Sequence, residues 1–287
     1  MYKSILVPAL IPVCDPDTLD LATQVARLGD GRIEYLYVHP DARELARYTS
    51  SLDFESGMFT QQIWDTLVEA DKICLARARK AFDAFCACEK LTSEGAVSAA
   101  FRETEGNPGE RAIAEARFGD LVVIGRPPAP EDLTTGEAGD VLIASGRPVL
   151  LTASGECHNP LTTVVIAWKE SAASVHAVEA AMPLLKKAQQ IHVLGVVEGD
   201  GDEAPVRRSA ERLAETLKRH GLKPRASHVR AGTRDACEVL LETASQKLEA
   251  GVLVMGGYGH SRAREFVFGG FTRHVLGTAP LPVLLAH

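Results

Sequence analysis

The sequence predicts an α/β protein made twice over, with a parallel sheet flanked by helices in each half of the chain. Short β-branched runs alternate with longer stretches of helical periodicity, the pattern of β-α-β units whose strands are covered on both faces. The chain also repeats itself. Asp120-Leu121-Val122-Val123-Ile124-Gly125, closed by Arg147-Pro148-Val149-Leu150-Leu151, mirrors Gly251-Val252-Leu253-Val254-Met255-Gly256, closed by Leu281-Pro282-Val283-Leu284-Leu285. Upstream, Tyr2-Lys3-Ser4-Ile5-Leu6-Val7-Pro8 mirrors Thr162-Thr163-Val164-Val165-Ile166-Ala167-Trp168. With 287 residues, 46% of them hydrophobic, each half can bury its own core.

In the first half, strands are expected near residues 3–9, 33–38, 97–102, 121–125 and 148–152, with helices near 17–28, 61–90, 109–117 and 137–145. In the second, strands are expected near 162–168, 190–197, 225–230, 251–255 and 282–286, with helices near 172–186, 203–220, 234–248 and 271–278. The polar stretch Ser154-Gly155-Glu156-Cys157-His158-Asn159-Pro160 reads as the linker, giving domains 1–153 and 161–287. Asp41 to Thr60 has weak periodicity and reads as an insertion.

The most informative stretch follows the strand at 251–255. Gly256-Gly257-Tyr258-Gly259 is followed by nine residues, then Gly269-Gly270-Phe271-Thr272 and a short helix in which Phe271 and Val275 share a face. Glycines that end a strand and open a helix bring backbone N–H groups close to an anion, and the helix dipole adds a favourable field. From Gly256 to His274 three arginines (Arg262, Arg264, Arg273) stand against one glutamate (Glu265), a local excess of +2 in a chain of net charge -7. That sign suits phosphates.

These residues resemble the universal stress protein family. Its nucleotide signature is Gly, two residues, Gly, nine residues, Gly, then Ser or Thr. Here Gly256, Gly259 and Gly269 match, while Gly270 takes the place of the hydroxyl residue; Thr272 matches a further position where the family offers a hydroxyl. The resemblance implies two tandem adenine-nucleotide α-hydrolase-like domains, each a five-stranded parallel sheet flanked by helices. It implies ATP or another adenine nucleotide in the C-terminal domain, with Mg²⁺ as its companion ion. The residues it assigns to the ligand are Ala167, Trp168, Lys169, Val196, Gly256, Gly259, His260, Ser261, Gly269, Gly270, Phe271 and Thr272.

Within that set, Lys169 departs from the pattern. Aligned on Ser171, it stands where ATP-binding members place an Asp near the nucleoside, and an ammonium removes an acceptor while adding a phosphate-seeking charge. Trp168 reads either as a stacking surface or as a core or interface aromatic. Val196 matches a position where backbone atoms meet the adenine. In the first half Pro128 replaces the second glycine and Leu10 the acidic residue, so this half is expected to bind no nucleotide and to act as a structural partner. The resemblance further implies that the two apolar terminal strands pair inside the tandem chain as a pseudo-dimer, with homodimerisation left open.

Other chemistry is poorly supported. Gly259-His260-Ser261-Arg262-Ala263 lacks the second glycine of a nucleophile elbow. No Walker-type loop or placed catalytic base is found, so no catalytic residue is assigned, and a slow ATPase or adenylyl transferase ranks behind a regulatory or protective nucleotide-binding protein. A nucleotide-free interaction scaffold is the main alternative. The six cysteines show no paired spacing and read as reduced packing residues, with no metal site. The acidic charge and lack of clustered Lys and Arg argue against nucleic acid, and no window suits a membrane span or a secretory signal, so a cytoplasmic protein is expected.

Overall fold

The computed structural model describes residues 1–10, 15–39, 41, 57–126, 133–153, 162–257 and 270–287. They form two compact units, Lys3–Gly125 and a second made of Met1–Tyr2 with Arg126–His287.

The first unit contains β1 (Ser4–Pro8), α1 (Pro16–Arg27), β2 (Arg32–His39), α2 (Gly57–Glu89), β3 (Ser98–Glu105), α3 (Pro108–Ala116) and β4 (Leu121–Ile124). Its strands are parallel in the order β3-β2-β1-β4. Both short helices begin on a side-chain cap followed by proline: Asp15 accepts from the Asp17 N–H and Asn107 from the Glu110 N–H. α2 starts at Gly57, inside the stretch expected to be an insertion, while 42–56 lie outside the described residues. At 33 residues α2 is about 50 Å long at ~1.5 Å per residue. Ala78 and Phe82, in its C-terminal half, are buried against the sheet.

The second unit contains α4 (Leu133–Ser145), β5 (Val149–Leu151), β6 (Thr163–Ala167), α5 (Ala172–Leu185), β7 (Gln190–Glu198), α6 (Glu203–Arg219) and β8 (Pro224–Gly232). It continues with α7 (Ala236–Glu242), a π turn over Thr243–Lys247, β9 (Val252–Gly256), α8 (Gly270–Thr278) and β10 (Val283–Ala286). The sheet order is β5-β10-β9-β6-β7-β8. The run β8-β7-β6-β9 has the same order as β3-β2-β1-β4, so the sequence repeat is also a topological one. All neighbours are parallel except β5 and β10, the two apolar terminal strands, which pair antiparallel (Val283 opposite Leu151, Leu285 opposite Val149). Val164, Val165, Val252, Leu253, Val283 and Leu284 are fully buried, as strands covered on both faces require.

Two glycines set the distance between helices and sheet. A Cβ at Gly195 would lie 2.5 Å from Val206 Cγ1, which lets α6 close onto β7. A Cβ at Gly256 would lie 2.5 Å from Ser174 N and 2.6 Å from the Ala173 carbonyl carbon, so the first turn of α5 rests directly on the end of β9.

Two expectations change. The helix expected over 234–248 stops at Glu242 and continues as a π turn, with the Leu248 N–H bonded to the Thr243 carbonyl at 3.0 Å. Ser245 Oγ donates to the Leu241 carbonyl at 2.7 Å and competes there with the regular ladder. In α8, Phe271 and Val275 do not share the buried face: Thr272, Val275 and Leu276 are buried, and packing on that i, i+3, i+4 stripe leaves Phe271 exposed. Among the described residues no helix is long and apolar enough to cross a membrane.

Candidate functional site

The sheet of the second unit reverses its strand order between β6 and β9, and in open α/β sheets a ligand crevice forms beyond the carboxyl ends at such a point. Ala167, the last residue of β6, is in register with Met255 on β9 and Leu194 on β7. Trp168 and Lys169 directly follow β6, and Gly256 is the last residue of β9. Val196 lies two residues beyond Leu194 on β7. The residues the sequence singled out on these three segments, namely Ala167, Trp168, Lys169, Val196 and Gly256, thus all belong to the carboxyl-terminal parts of neighbouring strands or directly follow them.

Each has definite surroundings. The Trp168 backbone N–H extends the β6–β7 pairing by donating to the Leu194 carbonyl at 2.9 Å. Its indole Nε1–H donates to Ser209 Oγ on α6 at 2.9 Å, and that hydroxyl donates to Glu170 at 2.8 Å, which fixes the half-buried ring. Lys169 is exposed and lies 3.4 Å from the Glu198 carboxylate at the end of β7. The missing acid at position 169 is therefore matched by two nearby carboxylates, Glu170 and Glu198, both engaged within the protein. Val196 is half-buried and paired with Val229.

On the β9 side, Gly256 is required by packing, since any side chain would strike the backbone of α5. Gly257 extends the strand: its N–H donates to the Ala286 carbonyl at 2.8 Å, and its own carbonyl accepts from His287 Nδ1 at 3.2 Å. Gly257 thus anchors the glycine-rich segment and has no N–H left for a ligand. Gly259, His260, Ser261 and Gly269 lie outside the described residues. Gly270 is the first residue of α8, whose first turn has backbone N–H groups without partners in the helical ladder. Thr272 is buried there, and the Phe271 carbonyl lies 3.8 Å from Cys237 Sγ on α7. Burial, reinforced by Asp235 and Glu238, pushes the Cys237 thiol up to about 12, which makes it a packing group.

These features suit a phosphate-bearing ligand in part. The α8 terminus and Lys169 supply positive potential, and the ends of β6 and β7 supply a hydrophobic and aromatic wall. Sequence reasoning missed Ser209, Glu170, Glu198 and His287. Each acts on a recognised position from elsewhere in the fold, and only the two carboxylates carried a local signal, by their closeness to Lys169 and Val196.

A second polar cluster lies at the end of β2 in the first unit, and no motif in the sequence marks it. His39 Nδ1 is 2.7 Å from Asp71 on α2 and Nε2 is 3.2 Å from Glu103 on β3. Tyr37 donates to Asp71 at 2.9 Å, Arg79 pairs with Glu103, and its guanidinium lies 4.2 Å from the Phe101 ring centre. Burial lowers the His39 pKa, but the bonds to Asp71 and Glu103 outweigh it and leave the imidazole above its ordinary value. Burial and the Asp71 carboxylate hold the Tyr37 phenol well above its usual range. Every member of the cluster is used by another, so it reads as a clamp between α2 and the sheet.

Comparison with known proteins agrees with the geometry. The family model "Universal stress protein family" matches residues 160–287. Among solved structures, the chain is similar to a universal stress protein from Archaeoglobus fulgidus, at TM-score 0.61 and 17% identity over 99% of this chain and 96% of that one. A functionally unknown protein from Pseudomonas aeruginosa gives TM-score 0.56 and 16% identity, over 99% and 92%. The cytoplasmic domain of a prokaryotic cation chloride cotransporter gives 0.51 and 13%, over 99% and 95%. At these identities the structures share a fold with this chain. No curated protein matches the sequence. The matched region contains β6 to β10, the strands whose carboxyl ends border the crevice.

Proposed function

We propose that the C-terminal universal stress protein domain binds an adenine nucleotide in this crevice, and that the protein serves a regulatory or protective role in stress without rapid turnover. The observation that carries the reading is the register of Ala167 with Met255 and Leu194 at the strand-order reversal, with Trp168 and Lys169 directly following β6 and α8 opening immediately after the glycine-rich segment. In this reading the phosphates face the first turn of α8 and the Lys169 ammonium, and the nucleoside lies against Val196 and the Trp168 edge. A bound nucleotide would bring Mg²⁺ to its phosphates; Glu170 and Glu198 are the nearby carboxylates, and each would first leave its present partner.

The test is a calorimetric titration of ATP, ADP and AMP into the purified protein, repeated with Gly259→Asp and Gly269→Asp. Binding tighter than millimolar that both variants abolish supports the reading. No heat at millimolar nucleotide removes it.

The second reading is a nucleotide-free interaction scaffold of the same fold. The Lys169–Glu198 pair favours it, because the acceptor expected near the nucleoside is replaced by an internal ion pair. The two readings give opposite results in the same titration. Prolonged incubation with ATP, followed for ADP or a transferred adenylyl group, tests the enzyme alternative.

A further inference from the structure

Arg126 is the second residue after β4, at the position that corresponds by sequence to Gly257 after β9. It is only 8% exposed. Its backbone N–H donates to Thr152 Oγ1 at 2.8 Å, and its Nε to the Thr152 carbonyl at 3.0 Å. Its Nη1 donates to the Val275 carbonyl at 2.6 Å and to the Leu276 carbonyl. Those two carbonyls belong to the last turn of α8, where the regular ladder ends; Val275 also accepts from the Ala279 N–H at 3.3 Å.

A buried guanidinium is ordinarily matched by a carboxylate. Among the described residues the side-chain bonds it makes go to three carbonyls, two of them at the negative end of a helix dipole. Burial pulls its pKa down to about 10. The helix end supplies compensation for the buried charge, and in return its last turn gains a donor for two carbonyls.

We infer that Arg126, contributed by the sequence repeat that lacks the glycine segment, is a positioning residue for α8 and holds the helix that opens immediately after the glycine-rich segment. The corresponding residue of the other repeat cannot return the service: Gly257 has no side chain, and a Cβ there would lie 2.8 Å from Leu142 Cδ2 on α4. The duplicated chain is thus functionally asymmetric, with one half stabilising the other half's anion helix. The consequence for ligand affinity rests on the nucleotide reading above; the consequence for α8 does not.

The test compares Arg126→Met, which keeps the apolar stem and removes every side-chain donor, with Arg126→Lys, which restores charge and one donor site. Amide hydrogen exchange is read over α8 and, as an internal control, over β6. In Arg126→Met the α8 amides should exchange about tenfold faster or more while β6 is unchanged, and Arg126→Lys should fall between Met and native. Equal acceleration of α8 and β6, unchanged α8 exchange, or a Lys variant no better than Met would overturn the inference. If Arg126→Met does not fold, the Lys variant alone decides, by selective or non-selective loosening of α8. ATP titration of the same proteins separates the two readings. Weaker binding in step with α8 exchange supports both, whereas a native protein that binds no ATP but shows the exchange pattern removes only the nucleotide reading.

Discussion

Replacing Gly256 by alanine separates what this glycine does for packing from what it does for a ligand. The added methyl would lie 2.5 Å from Ser174 N, 2.6 Å from the Ala173 carbonyl carbon and 2.9 Å from Ala173 Cβ. Ordinary contact between such atoms is about 3.5–4.0 Å, so roughly 1 Å must open between β9 and the first turn of α5. Two of the three atoms are backbone, and no flexible side chain can yield. Overpacking costs about 1–3 kcal/mol, and a clash of backbone against backbone belongs at the top of that range. A loss of ~3 kcal/mol lowers the melting temperature by about 6–12 °C in a unit of this size. Gly195→Ala is the control, because its methyl meets one side-chain atom, Val206 Cγ1 at 2.5 Å, which can shift with its helix; ~1 kcal/mol is expected there. Urea unfolding followed by far-ultraviolet circular dichroism measures both. A Gly256→Ala protein within about 0.5 kcal/mol of native, or more stable than Gly195→Ala, would refute the packing argument.

Three further outcomes are expected. Because the folded pKa of His39 is raised, its contribution to stability is complete below the ordinary histidine range and declines as pH rises through the raised value; Glu103, lowered chiefly by Arg79, loses its contribution on acidification instead. Melting curves between about pH 5 and pH 9 should thus show an alkaline decline in the first unit that His39→Gln abolishes, and a decline of unchanged slope would contradict the clamp. Ser209→Ala frees the Trp168 Nε1–H and removes a hydroxyl from Glu170, so stability should fall by about 0.5–1.5 kcal/mol and the indole emission should shift in a Trp64→Phe background. Lys169→Ala breaks only an exposed pair at 3.4 Å and should change stability by less than about 0.5 kcal/mol, while weakening any nucleotide binding measured by calorimetry.

The sheet was legible because its strands are short apolar runs with little else they could form. All ten expected strands are present, and most boundaries differ by only one or two residues. The repeat was equally legible, since Val122-Val123-Ile124-Gly125 and Leu253-Val254-Met255-Gly256 occupy the same place in the strand order. What failed depended on side-chain competition or on distance in sequence. Ser245 takes a helical carbonyl and turns the end of α7 into a π turn, a contest that a periodicity count does not register. Phe271 and Val275 have helical spacing, but the stripe that packs begins at Thr272. Within the crevice, strand register could be inferred and side-chain partners could not. Gly256 looked like a ligand glycine and is also a packing glycine, because its neighbour is α5, more than eighty residues earlier in the sequence. Arg126 stands in no motif, and nothing in its sequence neighbours foretells that it reaches Val275.

The antiparallel pairing of β5 with β10 bears on how the chain can be divided. A fragment cut at the polar linker, beginning at residue 161, would keep every element of the family region yet leave β10 without its outer neighbour. Val283, Leu284 and Leu285, now fully buried, would form a bare apolar edge with unsatisfied backbone groups, a surface prone to self-association. A fragment beginning at Arg126 carries its own edge protector, and with it the guanidinium that closes α8. The linker is the obvious place to cut this chain, but the compact unit that holds both β5 and β10 takes in Met1–Tyr2 and resumes at Arg126, thirty-five residues before residue 161 and within what the sequence assigns to the other half.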